Sequence, residues 1–133
     1  MELTQKAREH FYGDRYAVAT TGIEIQRAEL DYALCSLEIQ DKHLNLNNTV
    51  MGGAIFTLAD YTFGVAANMG GQDTVSLSCN INYLSPTVGP KLFAEAKCIK
   101  SGRSICFFSI TVTEESGKII ATAEANGFRR EKA

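Results

Sequence analysis

The amino-acid sequence predicts an α+β protein in which a curved antiparallel β-sheet wraps around one long central α-helix. Three observations carry this expectation. From about Val50 to Asn68, Ala54, Ile55, Phe56, Leu58, Ala59, Phe63, Val65 and Ala66 fall on every side of a helix, with Met69 just beyond, and a helix that is apolar all round has to be enclosed. From Val75 to Tyr83 the residues alternate with a period of two, the signature of a half-buried strand. Alanines recur on one face of the later strands, Ala94 and Ala96 and then Ala121, Ala123 and Ala125, and such rows let a helix approach a sheet closely.

Taken in order, "LTQKAREHFY" reads as a short helix ended by Gly13, and the run from Tyr16 to Gln40 reads as strand, with Ala33, Cys35, Leu37 and Ile39 on one face. The central helix follows. Beyond it Val75, Leu77, Cys79, Ile81 and Tyr83 form an apolar row, and Ser76, Ser78, Asn80 and Asn82 a polar row that faces something wet. "SPTVGP" is a loop because Pro86 and Pro90 interrupt any ladder. The remainder reads as three strands joined at Ser101-Gly102 and Ser116-Gly117, an antiparallel meander.

At 133 residues the chain is expected to be one domain, residues 1–133, with a single core. Its net charge of -2, with basic residues scattered rather than gathered in a stripe, argues against nucleic acid as a partner. The opening "MELTQKAREHFYGD" is charged and lacks the apolar run of a signal peptide, and no segment is apolar enough to span a membrane. A cytoplasmic location and no membrane partner are the resulting expectations. Cys35, Cys79, Cys98 and Cys106 are widely spaced at apolar positions and read as reduced core residues. With His10 and His43 they make no zinc spacing, so no metal is expected.

Asp60 stands out, because an ionised carboxylate in an enclosed helix costs several kcal/mol unless paired. It is either a catalytic group or a residue satisfied at a subunit edge. Burial would raise its pKa, and hydrogen bonds to it would lower it. Gly52-Gly53 lies at the helix start, where free N–H groups and the dipole favour negative charge, so it is either an oxyanion site or a close-packing turn. Asn45 and His43 precede the helix in a turn-rich loop, as site residues or as caps. Ser76 sits on the polar row. Eight residues at ~1.5 Å separate Gly52 from Asp60 by roughly 12 Å, too far to act on one carbonyl group. Two such helices packed antiparallel about a two-fold axis bring Asp60 of one chain towards Gly52 of the other.

"HLNLNNTVMGGAIFTLAD" resembles the H-x-N-x-x-G-x-x-H-G-G-x-x-x-x-L-A-D signature of hotdog-fold acyl-CoA thioesterases, in the branch that includes the phenylacetate-pathway enzymes, and "SLSCNINYLSP" resembles the strand that follows it there. The likeness runs from about Tyr32 to Arg129. It implies a hotdog homodimer, commonly paired again into a homotetramer, hydrolysing an aryl- or medium-chain acyl-CoA at a subunit interface, with coenzyme A present as part of the substrate and no other cofactor. Asn45 matches the residue that orients water or thioester, Gly52 the amide that polarises the carbonyl, Asp60 the general base or nucleophile, and Ser76 the group that positions water. His43, Met51 and Gly53 fall beside the substrate.

Two positions depart from the signature: Met51 replaces its His, and Asn48 replaces its Gly. Lys97, Lys100 and Arg103 around the Ser101-Gly102 turn, and Arg129 and Arg130 near the end of the sequence, are candidates for the coenzyme A phosphates. A hotdog dimer that binds acyl-CoA without turning it over is the alternative, made credible by Met51. A hydratase is disfavoured because the helix carries no His.

Overall fold

The computed structural model describes residues 2–71 and 73–130. Six strands form one sheet: β1 (Ile23–Glu29), β2 (Tyr32–Glu38), β3 (Asp73–Tyr83), β4 (Lys91–Ser101), β5 (Ile105–Glu114) and β6 (Ile119–Arg130). Their spatial order is β1-β2-β4-β5-β6-β3 with every neighbouring pair antiparallel. Four of these five pairs contain a register shift, and bulges of this kind bend and twist a sheet until it can curl. Inside the curl lies helix α2 (Gly52–Ala67), while the shorter α1 (Leu3–Phe11) packs on β1. This is the hotdog arrangement.

The alanine rows do what their size allows. Ala33, Ala94, Ala96, Ala121, Ala123 and Ala125 are buried under α2, whose Leu58, Ala59, Phe63, Val65 and Ala66 face them. One large contact anchors the stack, Phe63 edge-on to Phe108 with ring centroids 5.4 Å apart, within the favourable range for aromatic pairs. The four cysteines are free thiols, Cys35 and Cys106 buried and Cys79 and Cys98 half-buried. Burial pushes the Cys35 thiol up to about 12, so it stays protonated.

The Tyr16–Gln40 expectation is corrected. Arg15–Thr21 forms a π-helical segment, begun by Asp14, whose Oδ1 accepts from the Ala17 N–H, and ended by Gly22 at φ 97°. Only then do β1 and β2 pair, through a turn at Leu30-Asp31. Asp31 takes φ 59°, a conformation that Asp tolerates better than most residues, and Arg129 holds it there with an Nη2–Oδ1 contact of 2.8 Å. Arg129 is thereby a buried structural partner and not an exposed phosphate contact. Arg130 is likewise paired, with Asp73.

The simple alternation expected of β3 is also corrected. β3 is an edge strand, and its pairing with β6 shifts between Ser76 and Ser78, so Leu77 is an extra residue. The Thr74 hydroxyl donates to Ala67 O on the helix side, and Tyr83 Oη donates to Gly52 O on that same side. An even and an odd position can share a face only if one residue between them is out of count. Ser76 therefore joins Cys79, Ile81 and Tyr83 facing α2 instead of the polar row, and Val75 and Leu77 are exposed.

The start of β3 is clamped to the end of α2. Asn68 Oδ1 accepts from Thr74 N at 2.7 Å, and its Nδ2 donates to Gly64 O and Thr74 O. Diagonally across from Thr74, a Cβ at Gly127 would lie 2.6 Å from Thr74 Cγ2 and 3.1 Å from both Cys106 Sγ and Phe63 Cζ. Gly127→Ala is accordingly expected to destabilise the fold by about 1–3 kcal/mol through overpacking, measured as a lower denaturant midpoint at unchanged slope. A midpoint equal to that of the unsubstituted protein would show that the clamp gives way freely.

Candidate active site

One side of α2 stays uncovered. Gly53, Thr57, Asp60 and Gly64 recur at helical spacing along it, Gly53 and Asp60 are exposed, and a Cβ at Gly64 would meet nothing within 4 Å. Asp60 is thus open to solvent in the single chain, which corrects the expectation of a fully buried carboxylate. It nevertheless lines a pocket of ≈ 250 Å³ with Phe11, Asp14, Phe63, Asn68 and Ser76. The surrounding protein withholds enough water to raise its pKa, and the neighbouring Asp14 carboxylate raises it further. Among the described residues no cation or hydrogen-bond donor offsets this.

Ser76 reaches this pocket because of the bulge at Leu77. Its hydroxyl and the Asp60 carboxylate border one space, an acceptor and a donor–acceptor that can hold a water between them. Cys79, on the same side of β3, has its thiol pKa raised by burial and then by the charge of Asp60.

Gly52 opens α2 at the other end of the open face. Met51 is its N-cap by position but offers no side-chain hydrogen bond. The first amides with acceptors are those of Ala54 and Ile55, both bonded to Met51 O. The N–H groups of Gly52 and Gly53, without an intrachain acceptor among the described residues, form the positive end of the helix. A second pocket of ≈ 280 Å³ adjoins Gly52, lined by Val50, Ile55, Tyr83 and Pro86. The chain therefore brings Asp60 and Ser76 together and leaves Gly52 apart from them.

The remaining expected residues are distributed between scaffold and surface. Asn45 is exposed, and its Oδ1 accepts from the N–H groups of Asn47 and Thr49 at 2.9 and 3.2 Å, shaping the loop that leads into α2. Asn48 has φ 60°, which explains why Asn can stand where the signature has Gly. His43 is buried. Its Nδ1 accepts from Gln40 N at 2.9 Å and its Nε2 lies 2.8 Å from Thr21 O, so the proton is on Nε2 and no ring nitrogen is left for a ligand. Met51 is exposed and, with Gly53, Thr57, Lys42 and Tyr16, borders a third pocket that His43 backs. Lys100 and Arg103 are exposed at the β4–β5 hairpin and line none of these pockets; Lys97 pairs with Glu95.

Sequence reasoning missed Asp14, which carried no signal beyond standing before a helical turn. It also missed Asn68 as the clamp, and Tyr83 as the contact on Gly52. Among the described residues no three His, Cys, Asp or Glu side chains gather as a metal site would require, and no helix is long and apolar enough to cross a membrane.

Comparison with known proteins gives a consistent picture. The Thioesterase superfamily family model matches residues 47–121, the span from the α2 loop into β6. The acyl-coenzyme A thioesterase PaaI of Escherichia coli K12 is 28% identical over 126 residues, 94% of this chain and 89% of that protein. The structure of the E. coli PaaI protein from the phenylacetic acid degradation operon superposes with a TM-score of 0.90 at 24% identity over 99% of both chains, which establishes the shared fold. A Streptococcus mutans UA159 protein solved bound to acetyl CoA is 31% identical with a TM-score of 0.78, over 83% of this chain and 90% of that one. Since the matched region takes in Asp60, Ser76 and the Gly52 helix start, and covers more than half of the 133 residues, this chain belongs to the thioesterase superfamily.

Proposed function

We propose that the protein is an acyl-CoA thioesterase that hydrolyses an aryl- or medium-chain acyl-CoA to the free acid and coenzyme A, at sites formed between two copies of the chain. The observation that carries this reading is the division of the machinery along the open face of α2. Asp60 and Ser76 share one pocket, and the unsatisfied Gly52 amide lies at the other end of the face. A second chain packed antiparallel on the stripe of Gly53, Thr57, Asp60 and Gly64 brings the two halves within reach. The exposed edge of β3, with Val75 and Leu77 uncovered, offers its unpaired backbone groups to the same partner. Phe11 and Phe63 give the Asp60 pocket walls suited to an apolar acyl group, and kinship to a protein solved with acetyl CoA supports a coenzyme A thioester as the substrate.

In this reading a water held by Asp60 and Ser76 attacks the thioester carbonyl carbon. Asp60 takes the proton as the C–O bond forms. The carbonyl oxygen gathers negative charge against the Gly52 N–H of the second copy, aided by the helix dipole. Collapse breaks the C–S bond, and the proton held by Asp60 goes to the departing thiolate. Asn45 orients the thioester from the entry loop, and Lys100 and Arg103 of the β4–β5 hairpin meet the phosphates.

One observation favours a second reading, in which acyl-CoA is bound and not hydrolysed: Met51 presents an exposed thioether where the signature carries imidazole. Thiol release across a panel of aryl and straight-chain acyl-CoAs separates the two, because a binder shows thermal stabilisation without thiol.

Asp60→Asn keeps the shape and removes the base, so thiol release is expected to fall about 10²–10⁴-fold while the protein folds and assembles normally. Near-full turnover would return Asp60 to a structural role. Sedimentation at micromolar concentration is expected to show a dimer or larger assembly, and a monomer would contradict the shared site.

The pH dependence follows from the raised pKa of Asp60. The base must be ionised, so the acid limb of kcat/KM is expected above the ordinary aspartate value of about 3.9. Burial is the larger cause and Asp14 the second; Cys79 and Tyr61 also border the group but are protonated in this range. Asp14→Asn removes only the second cause. The limb should then move to lower pH without reaching the ordinary value, and an unmoved limb would show that Asp14 does not act on Asp60.

A further inference from the structure

We propose that Tyr83 is the positioning residue of the oxyanion site, fixing from the far end of β3 the start of α2 that carries the Gly52 N–H, and polarising the adjacent Gly53 N–H. This rests on the thioesterase reading and extends it to a residue outside the reacting set. The Tyr83 Oη donates to Gly52 O at 3.0 Å. Its ring lies flush on the same glycine: a Cβ there would stand 3.2 Å from Cζ and 3.4 Å from Cε1 and Oη. A side chain at position 52 would thus press on the tyrosine ring and displace it by a few tenths of an ångström.

Two physical consequences follow. The Gly52 carbonyl and the Gly53 N–H are opposite ends of one peptide group. A hydrogen bond received at the oxygen shifts charge along the amide and strengthens the N–H as a donor, by an amount on the order of 10–30% per bond. The hydroxyl and ring also restrain a helix start that has no side-chain cap, since Met51 supplies none. Tyr83 pairs with Ala121 at the end of β3, and the other end of that strand is tied to Asn68 and Ala67. One strand therefore sets the position of Ser76 beside Asp60 and of the amides at Gly52.

The test is Tyr83→Phe, which keeps the ring and removes only the hydroxyl. On an acyl-CoA that the unsubstituted protein turns over, kcat is expected to fall about 10-fold, less than the 10²–10³ of a lost oxyanion donor, with KM within about 2-fold. In amide NMR spectra of the assembled protein without substrate, the Gly53 proton should move upfield as its polarisation is lost. Tyr83→Leu, which also removes the ring, should lower kcat further and broaden the Gly52 and Gly53 signals. An unchanged kcat, or a rise in KM at constant kcat, would overturn the proposal, the latter making Tyr83 a plain binding contact. If the unsubstituted protein releases no thiol from any acyl-CoA, the thioesterase reading fails, and the Gly53 shift alone then decides whether Tyr83 polarises this peptide.

Discussion

The close seat of α2 on alanine is the contact on which the rest of the structure depends. Ala94, Ala96, Ala121, Ala123 and Ala125 present almost no side chain, so the helix sinks into the curled sheet until its backbone is within hydrogen-bonding reach of the edge strand. Only at that depth can Thr74 bond to Ala67 O and Tyr83 to Gly52 O. Larger residues in those rows would lift the helix and break both ties together. Burial of one face fixes the orientation of the other, and the open stripe with Asp60 follows from how the apolar side is filled.

The electrostatics of that stripe are those of a carboxylate given little help. Asp60 is solvent-exposed in the single chain, yet desolvation by the surrounding protein and Asp14 beside it make its charged form less favourable than in water. A base whose pKa is raised holds its proton more firmly in the transition state. The helix start works in the opposite sense, with free N–H groups that favour negative charge. One helix thus carries a site that discourages an anion near its middle and one that welcomes an anion at its beginning, which suits chemistry that creates negative charge on the carbonyl oxygen.

Much of this was legible in the sequence because it rests on composition and period. An all-round apolar helix and small residues at every second strand position each have one physical solution, and Asp60 and Gly52 were visible as exceptions within it. What remained hidden depended on conformation at single residues. Asp31 turns the β1–β2 hairpin without a glycine, steadied by Arg129 from 98 positions away, and no local pattern encodes that pairing. Val-Ala-Thr-Thr near the N-terminus has strand propensity, but the Asp14 cap and the left-handed Gly22 wind it into a helix. Asp14 reached the site through that winding. In β3, the sequence alternates cleanly on both sides of Leu77, so the bulge leaves no trace in the pattern it interrupts.

That bulge gives position 77 an unusual kind of importance. Its side chain is largely exposed and can change in size and polarity with little effect on the core. Its place in the count cannot be given up, because removing one residue between Ser76 and Tyr83 would turn one of them away from α2. A single-codon deletion here would uncouple the two halves of the site in a protein whose composition and hydrophobic content had hardly changed.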